Sequence, residues 1–142
     1  MNMENPQHKA ILEALQSGAN DAIRDAAFSA GDQGMQDAVP MLCEHIKSPS
    51  VGVQEAAEYA LRKIRGPQVV VALLPLLSSD EAPVRNVAMD ILREIGSDSI
   101  ESIQPYMQSE DADLRIFVTD ILGYCRTHQA CLLLCRALLK DP

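Results

Sequence analysis

Val84-Arg-Asn-Val-Ala-Met-Asp-Ile-Leu92 and Leu114-Arg-Ile-Phe-Val-Thr-Asp-Ile-Leu122 lie thirty residues apart and repeat one pattern. The order is apolar, polar, polar, small, small, polar, polar, apolar, apolar, with Met89 departing from it in the first stretch and Ile116 and Phe117 in the second. Working outward, Val53-Gln54 and Ile23-Arg24 open looser copies, so the four starts fall at intervals of 30, 31 and 30 residues. Such a period marks a stacked repeat architecture and takes precedence over local propensities. Within one copy the apolar residues recur every three or four positions, the spacing of one helix face.

Composition sets the outer limits. The chain has 142 residues, which suits one domain or one short stack. Hydrophobic residues make up 47%, enough for a continuous core, and with aromatics at only 4% the packing falls to Ala, Leu, Ile and Val. Small aliphatic side chains favour closely apposed helices. The net charge of −8 argues against a nucleic-acid binder, whose affinity comes from clustered Lys and Arg. No stretch approaches the roughly twenty apolar residues of a membrane span. Val69 to Leu77 is the longest and contains Pro75. The start Met1-Asn-Met-Glu-Asn-Pro6 lacks a charged-then-apolar leader, so the expected location is cytoplasmic, with no membrane partner.

Each repeat reads as two helices. In the second, Pro40 to Lys47 is a first helix, Ser48-Pro49-Ser50 a turn, and Val51 to Arg65 a second helix stopped by Gly66. The third runs Pro67 to Leu77, then Ser78-Ser79-Asp80, then Pro83 to Ile95 before Gly96. The fourth runs Ser99 to Gln108, then Ser109-Glu110-Asp111, then Asp113 to Cys125. Asn20, Ser50 and Asp111 occupy equivalent capping positions; Glu81 stands there in the third repeat, with Asp80 beside it. The first repeat places Gly31 where the others carry Leu, which predicts a second helix ending at Ala30 and a loop over Gly31–Gly34. Gln129 to Lys140 reads as a further first helix, and Asp141-Pro142 resembles the Ser48-Pro49 turn. That helix is either a cap or one half of a continuing array. The predicted repeats are 6–34, 38–66, 67–96 and 98–127, with a final helix over 129–140, in a single repeat domain.

Pro40 to Ile64, and Glu81-Ala-Pro-Val-Arg-Asn-Val-Ala-Met-Asp-Ile-Leu-Arg-Glu-Ile-Gly96, resemble HEAT repeats of the short, phycobilisome-lyase-like group. The likeness implies an all-α, right-handed α-α superhelix of about four helical hairpins plus a C-terminal helix. It implies a scaffold more than an activity. It also implies that Arg24, Arg85 and Arg115 belong to a structural ladder between neighbouring repeats, from which Gln54 departs.

Counting from each start, offsets 0, 3, 4, 7, 8 and 11 of the second helix face inward: Val84, Val87, Ala88, Ile91, Leu92 and Ile95 in the third repeat. Offsets 2, 5, 6 and 9 face out, onto the side that HEAT-like stacks make concave. They are Glu55, Glu58, Tyr59 and Arg62, then Asn86, Met89, Asp90 and Arg93, then Ile116, Thr119, Asp120 and Gly123. This predicts a docking ridge with apolar points at Tyr59, Met89 and Ile116 in an acidic rim that favours a basic or mixed protein partner.

No catalytic constellation emerges. Cys125, His128, Cys131 and Cys135 cluster within eleven residues but not as two close pairs. Cys125 falls at a buried offset, and Cys131 and Cys135 read as small core residues, so neither a metal nor a cofactor is expected. Glu44-His45 occurs once, in the reverse order to the His-Glu pairs of HEAT-like di-iron hydroxylases, and His45 reads as solvated. Gly31-Asp-Gln-Gly34 lacks the Lys and Ser/Thr of a phosphate loop. The expected function is a non-catalytic interaction scaffold. The alternative is an enzyme-associated role, as a lyase-like chromophore chaperone or a metal-dependent oxidoreductase.

Overall fold

The computed structural model describes residues 5–125 and 127–140, and every regular element among them is helical. The predicted Asp141-Pro142 turn and the N-terminal Met1 to Glu4 lie outside the described residues. Two compact units divide the chain between Ile64 and Arg65, close to the predicted boundary between the second and third repeats.

The first unit holds α1 (Pro6–Ser17), α2 (Asn20–Asp32), α3 (Val39–His45) and α4 (Val51–Ile64). Asn5 accepts from the Gln7 N–H and Pro6 occupies the first turn, so α1 begins where its orphan donors are fewest. Ser50 Oγ accepts from the Val53 N–H at the start of α4, as its capping position predicts. Asn20 does not cap: it is the first helical residue, and Ala19 ahead of it offers no side-chain acceptor.

Helix α2 runs through Gly31 and stops two residues later than the sequence predicts. Gly31 is a contact point and not a terminator. A Cβ built there would lie 2.7 Å from the Ala60 Cα, so α4 crosses α2 at a distance only glycine allows. Ala26, Ala27 and Ala30 on α2, with Ala56, Ala57 and Ala60 on α4, are buried along the same seam. The stop comes at Gly34, whose φ of +62° closes a helix-terminal motif. In it the Met35 N–H reaches the Ala30 carbonyl and the Gly34 N–H the Gly31 carbonyl.

The second unit holds α5 (Pro67–Leu73), α6 (Ala82–Ile95), α7 (Ile100–Ile103), α8 (Ala112–Tyr124) and α9 (His128–Lys140). Its first helices are shorter than predicted. Pro75 and Pro105 remove an interior N–H, and the chain tightens into 3-10 turns over Leu74–Ser78 and Gln104–Gln108. First helices pack together (α5 on α7), second helices pack together (α6 on α8), and α9 packs on α8. Of the predicted inward offsets in α6, Val84, Ala88, Ile91, Leu92 and Ile95 are buried and Val87 is partly so. Leu114, Val118, Ile121, Leu122 and Cys125 repeat this on α8. Fully burying one such side chain contributes about 1.5–3 kcal/mol, so these stripes dominate the stability.

Two glycines make opposite predictions. Gly31→Ala drives a methyl into the α4 backbone and is expected to cost about 1–3 kcal/mol. Gly123, inside α8 with nothing within 4 Å of a built Cβ, is expected to gain about 0.5–1 kcal/mol as Ala. Urea denaturation of the two variants checks both signs.

Candidate interaction surface

The turns before the second helices are built alike. Ser48, Ser79 and Ser109 each accept, through Oγ, the backbone N–H two residues on. Arg85 and Arg115 then reach back from α6 and α8 to donate to the Ser79 and Ser109 carbonyls, both at 2.6 Å. These arginines are structural, as the resemblance implies, but they secure the turn of their own repeat and are not seen linking neighbours. Asp111 caps α8 by accepting from the Asp113 and Leu114 N–H groups. Glu81 provides no such bond, and the Arg85 contact is what holds that turn. Arg24 forms a 3.7 Å ion pair with adjacent Asp25, while its stem lies near Gly52.

The outward offsets divide into committed and available residues. Tyr59 is 37% exposed, yet its hydroxyl donates to Asp32 at 2.6 Å and its ring meets Phe28 edge-on at 5.1 Å between centroids. The bond to Asp32 raises the Tyr59 hydroxyl pKa above its ordinary value. Arg93 donates to Asp120 at 2.7 Å and to Asp90 at 3.2 Å, and stacks at 5.3 Å from the Tyr124 ring centroid. Asp32 and Arg93 sit at offset 9; Tyr59 and Asp120 sit at offset 6 of the next second helix. The same rung therefore recurs with different chemistry, hydroxyl to carboxylate in one unit and guanidinium to carboxylate in the other. The Arg93 and Asp120 side chains are a third or more exposed, so that rung contributes about 0.2–1 kcal/mol, and both rungs chiefly set register.

Met89 is a correction. It is 7% exposed, not an apolar point on the surface, because offset 5 of α6 lies near the packed flank and the flexible thioether folds into it. Ile116, 63% exposed, is as predicted. It borders an open depression of about 300 Å³ with Ala112, Arg115 and Thr119. Glu55 and Asn86 are exposed, and Glu58 pairs with Arg62 at 3.8 Å. The sequence reading missed Phe28 and Tyr124, which is 60% exposed. An offset-9 residue facing a chemically complementary offset-6 residue one repeat later was the signal that could have revealed the rungs.

Arg65 and Gly66, at φ +54° and +90°, end α4 and open the second unit. Arg65 donates twice to Asp98, both at 3.0 Å, and the Gly66 N–H adds a third bond at 2.9 Å. One carboxylate thus holds a left-handed non-glycine residue that would otherwise be disfavoured. The Arg65 bonds, aided by the Gly66 N–H, hold the Asp98 carboxyl below its usual range.

The cysteines fall into two classes. Cys43 and Cys125 are buried; burial, with nearby Glu44, pushes the Cys43 thiol up to about 12, and burial raises Cys125 too. Cys125 packs against Gly96 and donates to the Ile121 carbonyl. Cys131 and Cys135 are exposed, which overturns their reading as core. Among the described residues no three His, Cys, Asp or Glu side chains are grouped to hold a metal. His45 is also corrected: its Nε2 donates to the Leu15 carbonyl at 2.7 Å, joining α3 to α1.

Paired helices in repeating register, lined by small inward residues and bonded turn by turn, define an α-helical repeat protein. A family model described as HEAT repeats matches residues 8–93, and the chain belongs to that family. A crystal structure titled as an engineered protein is similar at 20% identity and a TM-score of 0.52, covering 94% of this chain and 68% of that one. That likeness speaks for the fold alone. No curated protein matches. No helix among the described residues is long and apolar enough to cross a membrane.

Two outcomes follow from the bonding. Asp98 has a lowered folded pKa, so its contribution is complete above the unfolded carboxylate value and disappears as pH falls through the folded one. The stability gap between wild type and Asp98→Asn should therefore be widest at neutral pH and close in acid, as read by urea midpoints across pH 2–7. With a thiol-titrating disulfide reagent, Cys131 and Cys135 should react promptly in the native protein. Cys43 and Cys125 should react only after denaturant is added.

Proposed function

We propose that the protein is a non-catalytic interaction scaffold that binds a protein partner through the outward side of its second helices. In the second unit the anchor is Ile116 on α8, beside its open depression and above the bare backbone of Gly123. In the first unit the exposed aromatic pair Phe28 and Tyr59 offers apolar area already ordered by contact with one another. The exposure of Ile116 is the observation that carries the reading: a large aliphatic side chain stands in water on the face predicted for docking.

Carboxylates surround these points. Glu55, Glu58, Asp90 and Asp120 lie at outward offsets, with Arg62 and Arg93 among them, and the chain carries a net charge of −8. Such a rim favours a basic or mixed surface and steers its approach. Arg93 and Asp120 act by shaping the helix pair and only secondarily by touching the partner. Met89 lies beneath that surface and supports it. The thirty-residue interval supports placing the repeats in the short, phycobilisome-lyase-like group. The chromophore-chaperone and oxidoreductase roles of that wider class draw on the resemblance alone.

Replacing Ile116 with Glu tests the reading. Affinity capture from the native host, quantified by mass spectrometry, should lose its specific partner at least tenfold, with the melting temperature unchanged because the site is exposed. Capture equal to wild type would remove Ile116 from the interface.

A further inference from the structure

The first helices of the second unit do not all end alike. Aligning Gln68 to Leu77 with Gln129 to Leu138 puts Arg136 of α9 at the position that Pro75 and Pro105 hold in the two repeats before it. The prolines turn the ends of α5 and α7 into 3-10 turns, whereas α9 stays a regular helix through Lys140. A 3-10 turn rises about 2.0 Å per residue and an α-helix about 1.5 Å, so the two ends cannot stay in step. A depression of about 330 Å³ lies there, lined by Glu101, Gln104, Met107 and Gln108 from α7 and its turn, and by Leu133 and Arg136 from α9. Leu133 is buried and Met107 half-buried, while Glu101, Gln104, Gln108 and Arg136 are exposed. Glu101 accepts from Ser99 Oγ at 3.5 Å. Glu101 and Arg136 line the same depression without an ion pair between them among the described residues.

We propose that this depression binds a small zwitterion with an apolar side chain, a free apolar α-amino acid, with its carboxylate on Arg136 and its ammonium on Glu101. Charge complementarity selects that class. A simple anion would meet Glu101 and a simple cation would meet Arg136, so each is opposed by one side of the site; a ligand carrying both charges satisfies both. A planar guanidinium holds a carboxylate through two parallel N–H bonds, and the Gln104 and Gln108 amides supply further donors and acceptors. The ligand's side chain rests on Leu133 and on Met107, whose thioether adapts to several shapes. The volume falls at the lower end of the roughly 300–1,000 Å³ range of small-molecule pockets. A 3.6-residue period puts Leu133 and Arg136 on the side of α9 away from Cys131 and Cys135, so those thiols take no part. The site lies on first helices and does not rest on the Ile116 reading.

Isothermal titration of the full chain with L-leucine, L-methionine and L-phenylalanine tests the proposal, and at least one is expected to bind saturably. The amide of that amino acid lacks the carboxylate and its N-acetyl form lacks the ammonium. Each should bind at least about tenfold more weakly, because each forfeits a charge-assisted bond. Arg136→Gln should erase the difference between the amino acid and its amide. Glu101→Gln should erase the difference between the amino acid and its N-acetyl form. Both sites are exposed, so the thermal melts should match wild type. Absence of saturable binding by all three amino acids would overturn the proposal, as would capped forms that bind as well as the free one. Discrimination against the capped forms that survives in both variants would overturn it too. The capped forms are measured on the wild-type chain, so that arm decides even if a variant folds poorly.

Discussion

The distance between adjacent second helices is the constraint on which the rest depends. In the first unit that distance is set where Gly31 meets the Ala60 backbone, in a seam of buried alanines. A single methyl at position 31 would meet backbone, which cannot swing aside as a side chain can. Close helices bring offset 9 of one within reach of offset 6 of the next, and the polar rungs follow from that proximity. In the second unit Gly96 serves a related purpose, with Cys125, Ile121 and Ile103 all near 3.1–3.2 Å from a built Cβ.

The rungs change how the outward face is understood. A row of charged and aromatic side chains on a helix looks available when the helix is drawn alone. Here Tyr59 is held by Asp32 and Phe28, and Arg93 by Asp120, Asp90 and Tyr124. What stays exposed is less charged and more sharply placed: Ile116 with the open space beside it, and the ordered faces of Phe28 and Tyr59. Under the proposed scaffold reading, specificity would come from a few apolar anchors, with the acidic surroundings governing approach.

Repeat spacing, paired helices and inward offsets were legible because they depend on side-chain periodicity along one helix. Val53, Val84 and Leu114 are buried as their offsets require, and the caps at Ser50 and Asp111 form as their residue types require. Gly31 misled because a glycine at a helix end and a glycine at a helix crossing look the same in one dimension. Pro75 and Pro105 were visible, but the 3-10 turns they produce depended on how tightly each first helix had to rejoin its turn.

The amino-acid order alone determined an all-helical repeat, its phase, and the side of each second helix that turns inward. These are local properties, set by a 3.6-residue period and by turn residues. Tertiary structure alone decided which outward residues were already spoken for, why Met89 lies under its neighbours, and which two cysteines face water. Those outcomes depend on what packs across from a residue, and that neighbour is thirty positions away in the chain.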